Sequence, residues 1–298
     1  MNKIFLMNKT MSIFLLIFNS LLSLSEMSYA SSQSNTQNSI GCVHQELCRI
    51  VTKSLNIDLN KTQNLVTIVG DPHEYEPNPS EVKNLVSIPL LITGPLEMNP
   101  WARNINYQRS KNPLLKTLML TLSPEEYALY KSNNREALSH FWLYPKLYCL
   151  LFEKVQTLAL KNQISFKATD PKSCQKEAID IELELKKTIA GIHVPIILTH
   201  DALLPLIKNF DQQNLKVMGI KGSGHHQEAD VQSIKYLYDA LKSPRVIWIE
   251  EKNIKIPFNI QNKKRANDII ITIDTSHNME AHTFSVLKEL NDKLKAIK

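Results

Sequence analysis

The stretch Asp170-Pro-Lys-Ser-Cys-Gln-Lys-Glu-Ala-Ile-Asp-Ile-Glu-Leu-Glu-Leu-Lys-Lys-Thr-Ile-Ala-Gly191 divides the chain into two halves. Asp170-Pro171 opens a helix, and Ala178, Ile181, Leu185 and Ile189 give it an apolar stripe at helical spacing. Ile179 to Leu185 also alternates like a strand. Length and the Glu, Leu and Lys content decide for a helix, which stops at Gly191 before a fresh strand-rich segment. A single long helix between two α/β halves is a stiff connector. The expected organisation is an N-terminal lobe over residues 31–169, a linking helix over 170–191 and a C-terminal lobe over 192–298.

On both sides of this helix, short apolar runs alternate with longer helical ones. The strand candidates are Leu65 to Val69, Val86 to Ile92, Val194 to Thr199, Leu215 to Ile220, Arg245 to Glu250 and Asp268 to Ile273. Most are apolar on both faces, as parallel strands covered on both sides must be, so the expected class is α/β with a mostly parallel, helix-covered sheet in each lobe. Helices are signalled by Ser123-Pro-Glu-Glu, by Pro145 to Lys161, by Ala229 to Lys242 and by Ala281 to Lys295. Gly222-Ser-Gly-His-His226 lacks the Lys-Ser/Thr of a phosphate-binding loop.

Residues 1–30 carry Lys3 and Lys9, an apolar run from Met11 to Phe18 and a small-residue exit at Ser28-Tyr29-Ala30. That is the pattern of a secretory signal peptide cleaved after Ala30, and Ser31 to Ser39 reads as a polar lead-in. Removal of residues 1–30 takes away Lys3, Lys9 and Glu26, so the formal charge falls from +6 to +5. The basic residues are scattered, with one run at Lys263-Lys264-Arg265, which speaks against a nucleic-acid partner. Four cysteines, Cys42, Cys48, Cys149 and Cys174, permit two disulfides in an oxidising compartment. Cys42 with Cys48 would close a short loop, and Cys149 with Cys174 would tie two successive helices; spacing does not choose the pairing.

Three histidines lie in three separated segments: Asp71-Pro-His73-Glu-Tyr-Glu76-Pro, His140-Phe-Trp-Leu-Tyr144-Pro and Thr199-His200-Asp201-Ala. Imidazole is the commonest ligand of zinc and its neighbours, and three rings from distant segments form a site only after folding. His44 and His193, outside such segments, read as core histidines.

These segments resemble a family. Asp71 to Pro77 is similar to the Asp-Pro-His-x-Tyr-Glu-Pro signature of metal-specific solute-binding proteins of ABC importers, the zinc and manganese type. Pro95-Leu-Glu with Trp101, His140 to Pro145 and His200-Asp-Ala resemble that family's later motifs in order and spacing. The resemblance implies two α/β lobes joined by one long helix, with metal in the cleft between them. It implies a non-enzymatic, monomeric periplasmic receptor that captures a divalent ion and delivers it to a permease in the inner membrane. The implied metal ligands are His73, His140 and His200, plus an acid after a late strand. Asp274 is the choice for that place, with Glu280, His277 and His282 as competitors, while Glu76 and Asp201 would orient the imidazoles. A nitrogen-rich shell points to Zn2+ as the transported ion, with Mn2+ as the alternative.

The chain departs from the family pattern. Between Ser39 and Thr67 the usual opening strand and helix are not discernible, and Cys42, His44 and Cys48 stand there instead. The family's Asp in the second motif is Tyr144 here. His225-His226 is either a metal-collecting pair or a polar loop. Two rival functions are a metal-binding adhesin or scaffold and a secreted zinc hydrolase, the latter without a His-Glu-x-x-His motif to support it.

Overall fold

The computed structural model describes residues 40–66, 75–130, 138, 140–210, 217–219, 231–252, 256, 258–274 and 284–297. The expected signal peptide, His73, His225, His226, His277, Glu280 and His282 lie outside the described residues. Residues 38–298 form one compact unit.

Among the described residues, eight strands form two four-stranded sheets in which every pairing is parallel. In the first half β1 (Ile40–Cys42), β2 (Thr62–Asn64), β3 (Leu90–Thr93) and β4 (Lys116–Met119) lie in the order β2-β1-β3-β4. In the second half β5 (Ile196–Leu198), β6 (Val217–Gly219), β7 (Ile247–Glu251) and β8 (Ile269–Ile273) repeat that order as β6-β5-β7-β8. Each sheet thus grows first to one side and then to the other. Its switch points fall between β1 and β3 and between β5 and β7, and the crevice beyond their carboxyl ends is where such folds bind ligands.

The opening strand and helix are present after all. β1 is followed by α1 (Gln45–Leu55). The helical signal was obscured because Glu46, Arg49 and Thr52 are buried with Leu47, Ile50 and Val51, which breaks the expected polar-out pattern. The strand expected from Leu65 to Val69 is not found over its described part: β2 ends at Asn64, Leu65 and Val66 enter the core from irregular chain, and residues 67–69 lie outside the described residues. The run from Val86 to Ile92 is cut in two. Asn78 and Glu81 form a capping box that starts α2 (Pro79–Ser87), and Pro89 forces Ile88 into extended backbone, ending the helix before β3. Helix α3 (Ala102–Arg109) and strand β4 were not anticipated.

After α4 (Pro124–Tyr127), α5 (Pro145–Lys161) leads into α6 (Pro171–Ala190), the long helix between the two sheets. Asp170 accepts the Lys172 N–H at 3.0 Å, and Ala178, Ile181, Leu185 and Ile189 are all buried. Then follow α7 (Leu204–Lys208), α8 (Val231–Ala240), α9 (Phe258–Gln261) and α10 (Ser285–Lys295). Helix α6 packs against α5 from the first half and α10 from the second. One apolar cluster runs through both halves, from Ile50, Leu91 and Leu147 to Ile196, Leu206 and Leu290. The cysteines pair as Cys42–Cys48 and Cys149–Cys174, with Cα atoms 5.4 Å and 5.6 Å apart; the second bond ties α5 to α6.

Candidate metal site

Two of the expected ligands meet. The rings of His140 and His200 lie edge to face with centroids 5.3 Å apart, and both residues are buried. Their turns are built alike. His140 precedes a 3-10 turn at Phe141–Leu143 and then Pro145 of α5; His200 precedes a 3-10 turn at Asp201–Leu203 and then Pro205 of α7. Each histidine therefore stands five residues before a proline that fixes the first turn of a helix. His200 follows β5 after Thr199, at the switch point of its sheet, and β6 presses against its turn. A Cβ on Gly219 would lie 2.7 Å from the Cβ of Asp201, so only glycine permits that approach.

Glu251 was missed by the sequence reading. It ends β7, across the switch point from His200, and its Oε1 lies 2.8 Å from His200 Nδ1, with both side chains buried. A carboxylate accepting from this ring places the hydrogen on Nδ1, so any metal ligation by His200 would use Nε2. Of the two acids expected to orient the imidazoles or fix a loop, Asp201 is buried next to His200 in the chain and Glu76 is exposed. The available signal was position: Glu250-Glu251 closes a parallel strand at a switch point, and alternation sends Glu250 outward to Lys264 and Glu251 inward.

Asp274 lies just past β8, half-buried, with Oδ2 3.1 Å from Lys252 Nζ. His193, expected in the core, is exposed. Among the described residues no three His, Cys, Asp or Glu side chains are gathered closely enough to hold an ion. The described part of the site is the His140–His200 pair with Glu251 behind it.

His44 borders this pair. It follows β1, half-buried, and stacks on Trp142 with centroids 4.7 Å apart, while Trp142 meets His140 edge to face at 5.3 Å. His44 Nδ1 accepts the Glu46 N–H at 3.2 Å, and burial, then the Arg49 charge, lowers its pKa to about 4. Glu46 receives Arg49 Nη1 at 3.0 Å, yet burial raises its carboxyl to about 7 against the pull of Arg49 and Lys53. The two groups oppose each other. Between the folded His44 value and 6.5 the unfolded chain binds more protons, so the His44 contribution to stability rises with pH. Between 4.5 and about 7 the folded chain binds more protons at Glu46, so that contribution falls with pH. Glu46→Gln removes the falling part. The urea midpoint of this variant minus that of the wild type, both metal-free, should therefore grow from pH 4.5 to pH 6.5; a level or shrinking difference refutes the assignment.

Comparison with known proteins adds the family. Residues 47–296 match the model for the periplasmic zinc-uptake complex component A. The chain belongs to that family. It is accordingly placed among metal-binding receptors of ABC importers, not among enzymes. Comparison with curated sequences returns no match. Solved structures share the fold at low identity. AdcAII of Streptococcus pneumoniae aligns with a TM-score of 0.66 and 15% identity over 89% of this chain and 99% of its own. The laminin-binding protein Lmb of Streptococcus agalactiae, described as bifunctional with adhesin and metal-transporting activity, aligns at 0.62 and 18% over 87% and 96%. The periplasmic zinc-binding protein TroA of Treponema pallidum aligns at 0.62 and 12% over 87% and 98%.

Proposed function

We propose that this family member captures Zn2+ outside the cytoplasm, holds it with His73, His140, His200 and Asp274, and passes it to an inner-membrane permease. The observation that carries this reading is the buried His140–His200 pair with Glu251 fixing one ring. Two buried imidazoles turned toward each other are a poor core arrangement and a good half of a tetrahedral shell. Three nitrogens and one oxygen favour zinc over manganese, which suits oxygen-rich shells, and disfavour calcium and magnesium. Residues 1–30 would deliver the chain to that compartment as a cleavable signal peptide, and the mature protein would act as a monomer.

Glu251 supplies what an imidazole ligand needs: a buried acceptor that sets its tautomer and holds its plane. The test is a competition titration of the metal-stripped protein with Zn2+ and Mn2+, with Glu251→Gln beside it. One tightly bound Zn2+ per chain is expected, weakened about tenfold to a hundredfold in the variant, the scale on which such partners act. Binding of neither ion by the wild type would overturn the receptor reading. Unchanged affinity in the variant would remove Glu251 from the site.

A further inference from the structure

The two histidine turns are joined by one side chain. Tyr144, four residues after His140, is fully buried, and its hydroxyl donates to the backbone carbonyl of Ala202, two residues after His200. Its ring packs edge to face on Tyr130 at 4.9 Å. Tyr130 in turn donates to Glu182 of α6 and accepts the Lys146 N–H at 3.0 Å, while Lys146 Nζ lies 3.1 Å from Glu182. Tyr144 is thus backed, through Tyr130, by the long helix and reaches forward to the turn that follows β5.

From this geometry, and resting on the receptor reading above, we infer that Tyr144 is a positioning and specificity-determining residue. It pins the His140 turn to the His200 turn at a spacing that suits a small tetrahedral ion and resists expansion to a larger, higher-coordinate one.

The physical reason is one of distance. Zinc closes four bonds, with nitrogens at about 2.0 to 2.1 Å, whereas manganese prefers six oxygen-rich ligands. Admitting more ligands requires the two turns to move apart, and the Tyr144–Ala202 bond opposes that motion. An aspartate at the same place has no proton to donate at neutral pH and could not make this bond. Burial, together with the facing Asp201 and Glu251 carboxylates, raises the Tyr144 pKa well above the ordinary phenol value. The hydroxyl therefore remains a donor wherever imidazoles bind metal.

The test compares wild type with Tyr144→Phe, which keeps the ring and loses only the hydroxyl, using Zn2+, Mn2+ and the spectroscopic probe Co2+ on metal-stripped full-length protein. The variant should lower the Zn2+ to Mn2+ affinity ratio about fivefold to tenfold, the size of one buried hydrogen bond, chiefly through faster Zn2+ release. Its Co2+ complex should lose the intense visible bands of tetrahedral coordination. Equal weakening of both ions, with unchanged Co2+ bands, would reduce Tyr144 to ordinary core support and overturn the inference while the receptor reading stands. Wild type that binds neither ion would end both. If the variant does not fold, the hydroxyl proton of wild-type Tyr144 decides by hydrogen exchange. Protection in both metal-free and zinc-loaded protein is expected, and loss of protection without metal overturns the inference.

Discussion

Replacing His200 with Ala will lower the affinity for Zn2+ by at least about a hundredfold, more than loss of a partner behind a ligand costs. The substitution removes one of four proposed ligands and also leaves the Glu251 carboxylate, now facing His200 Nδ1 at 2.8 Å, buried opposite a methyl group. His140→Ala should act on the same scale, since its ring meets His200 at 5.3 Å and stands equally buried. Asp274→Ala should cost less, because that carboxylate is half-buried and engaged by Lys252. His193→Ala, an exposed change, should leave binding as it was. Isothermal or chelator-competition titration reads all four. A loss of less than about threefold in His200→Ala would exclude it as a ligand, given that a single metal-bound imidazole accounts for far more than RT.

Arg109→Met should be the most destabilising single change, at about 4 kcal/mol of unfolding free energy in urea titration. Arg109 is buried on α3, where Nη1 donates to Leu85 O and Ile88 O at 2.8 Å each. Nη2 donates to Lys116 O at 2.6 Å, and Nε donates to Thr117 Oγ1 at 2.9 Å. Methionine fills similar space but takes the guanidinium donor from the buried Leu85 and Ile88 carbonyls, which costs more than the hydrogen bonds themselves contributed. These contacts surround the starts of β3 and β4, the opposite end of the sheet from the histidines. The folded variant should therefore bind Zn2+ as the wild type does. A loss below about 1 kcal/mol would mean that water reaches the carbonyls.

How much of this was legible depends on the kind of signal. The second sheet was readable because Ile247–Glu251 and Ile269–Ile273 are apolar runs that match their strands closely. The long helix was readable because its stripe is the buried face. The first sheet was harder: β1 spans three residues, and α1 hides charged Glu46 and Arg49 inside the fold, so periodicity points the wrong way. At the site, His140 and His200 were visible because each sits in a motif. Glu251 and the action of Tyr144 were not, since a carboxylate 51 residues from its histidine and a phenol 58 residues from its carbonyl leave no local trace. The first is set by strand order, which places the ends of β5 and β7 side by side, and the second by the packing of two helix-opening turns.

The apolar cluster that passes without a break from Leu91 to Leu290 bears on how cargo can leave. Drawing the halves apart would wet that shared interior at about 25 cal/mol for every Å2 uncovered. The molecule is therefore no clamshell. On the receptor reading proposed above, an ion held between the two turns would leave by loosening at the strand ends, with the force for that extraction supplied by whatever docks over them.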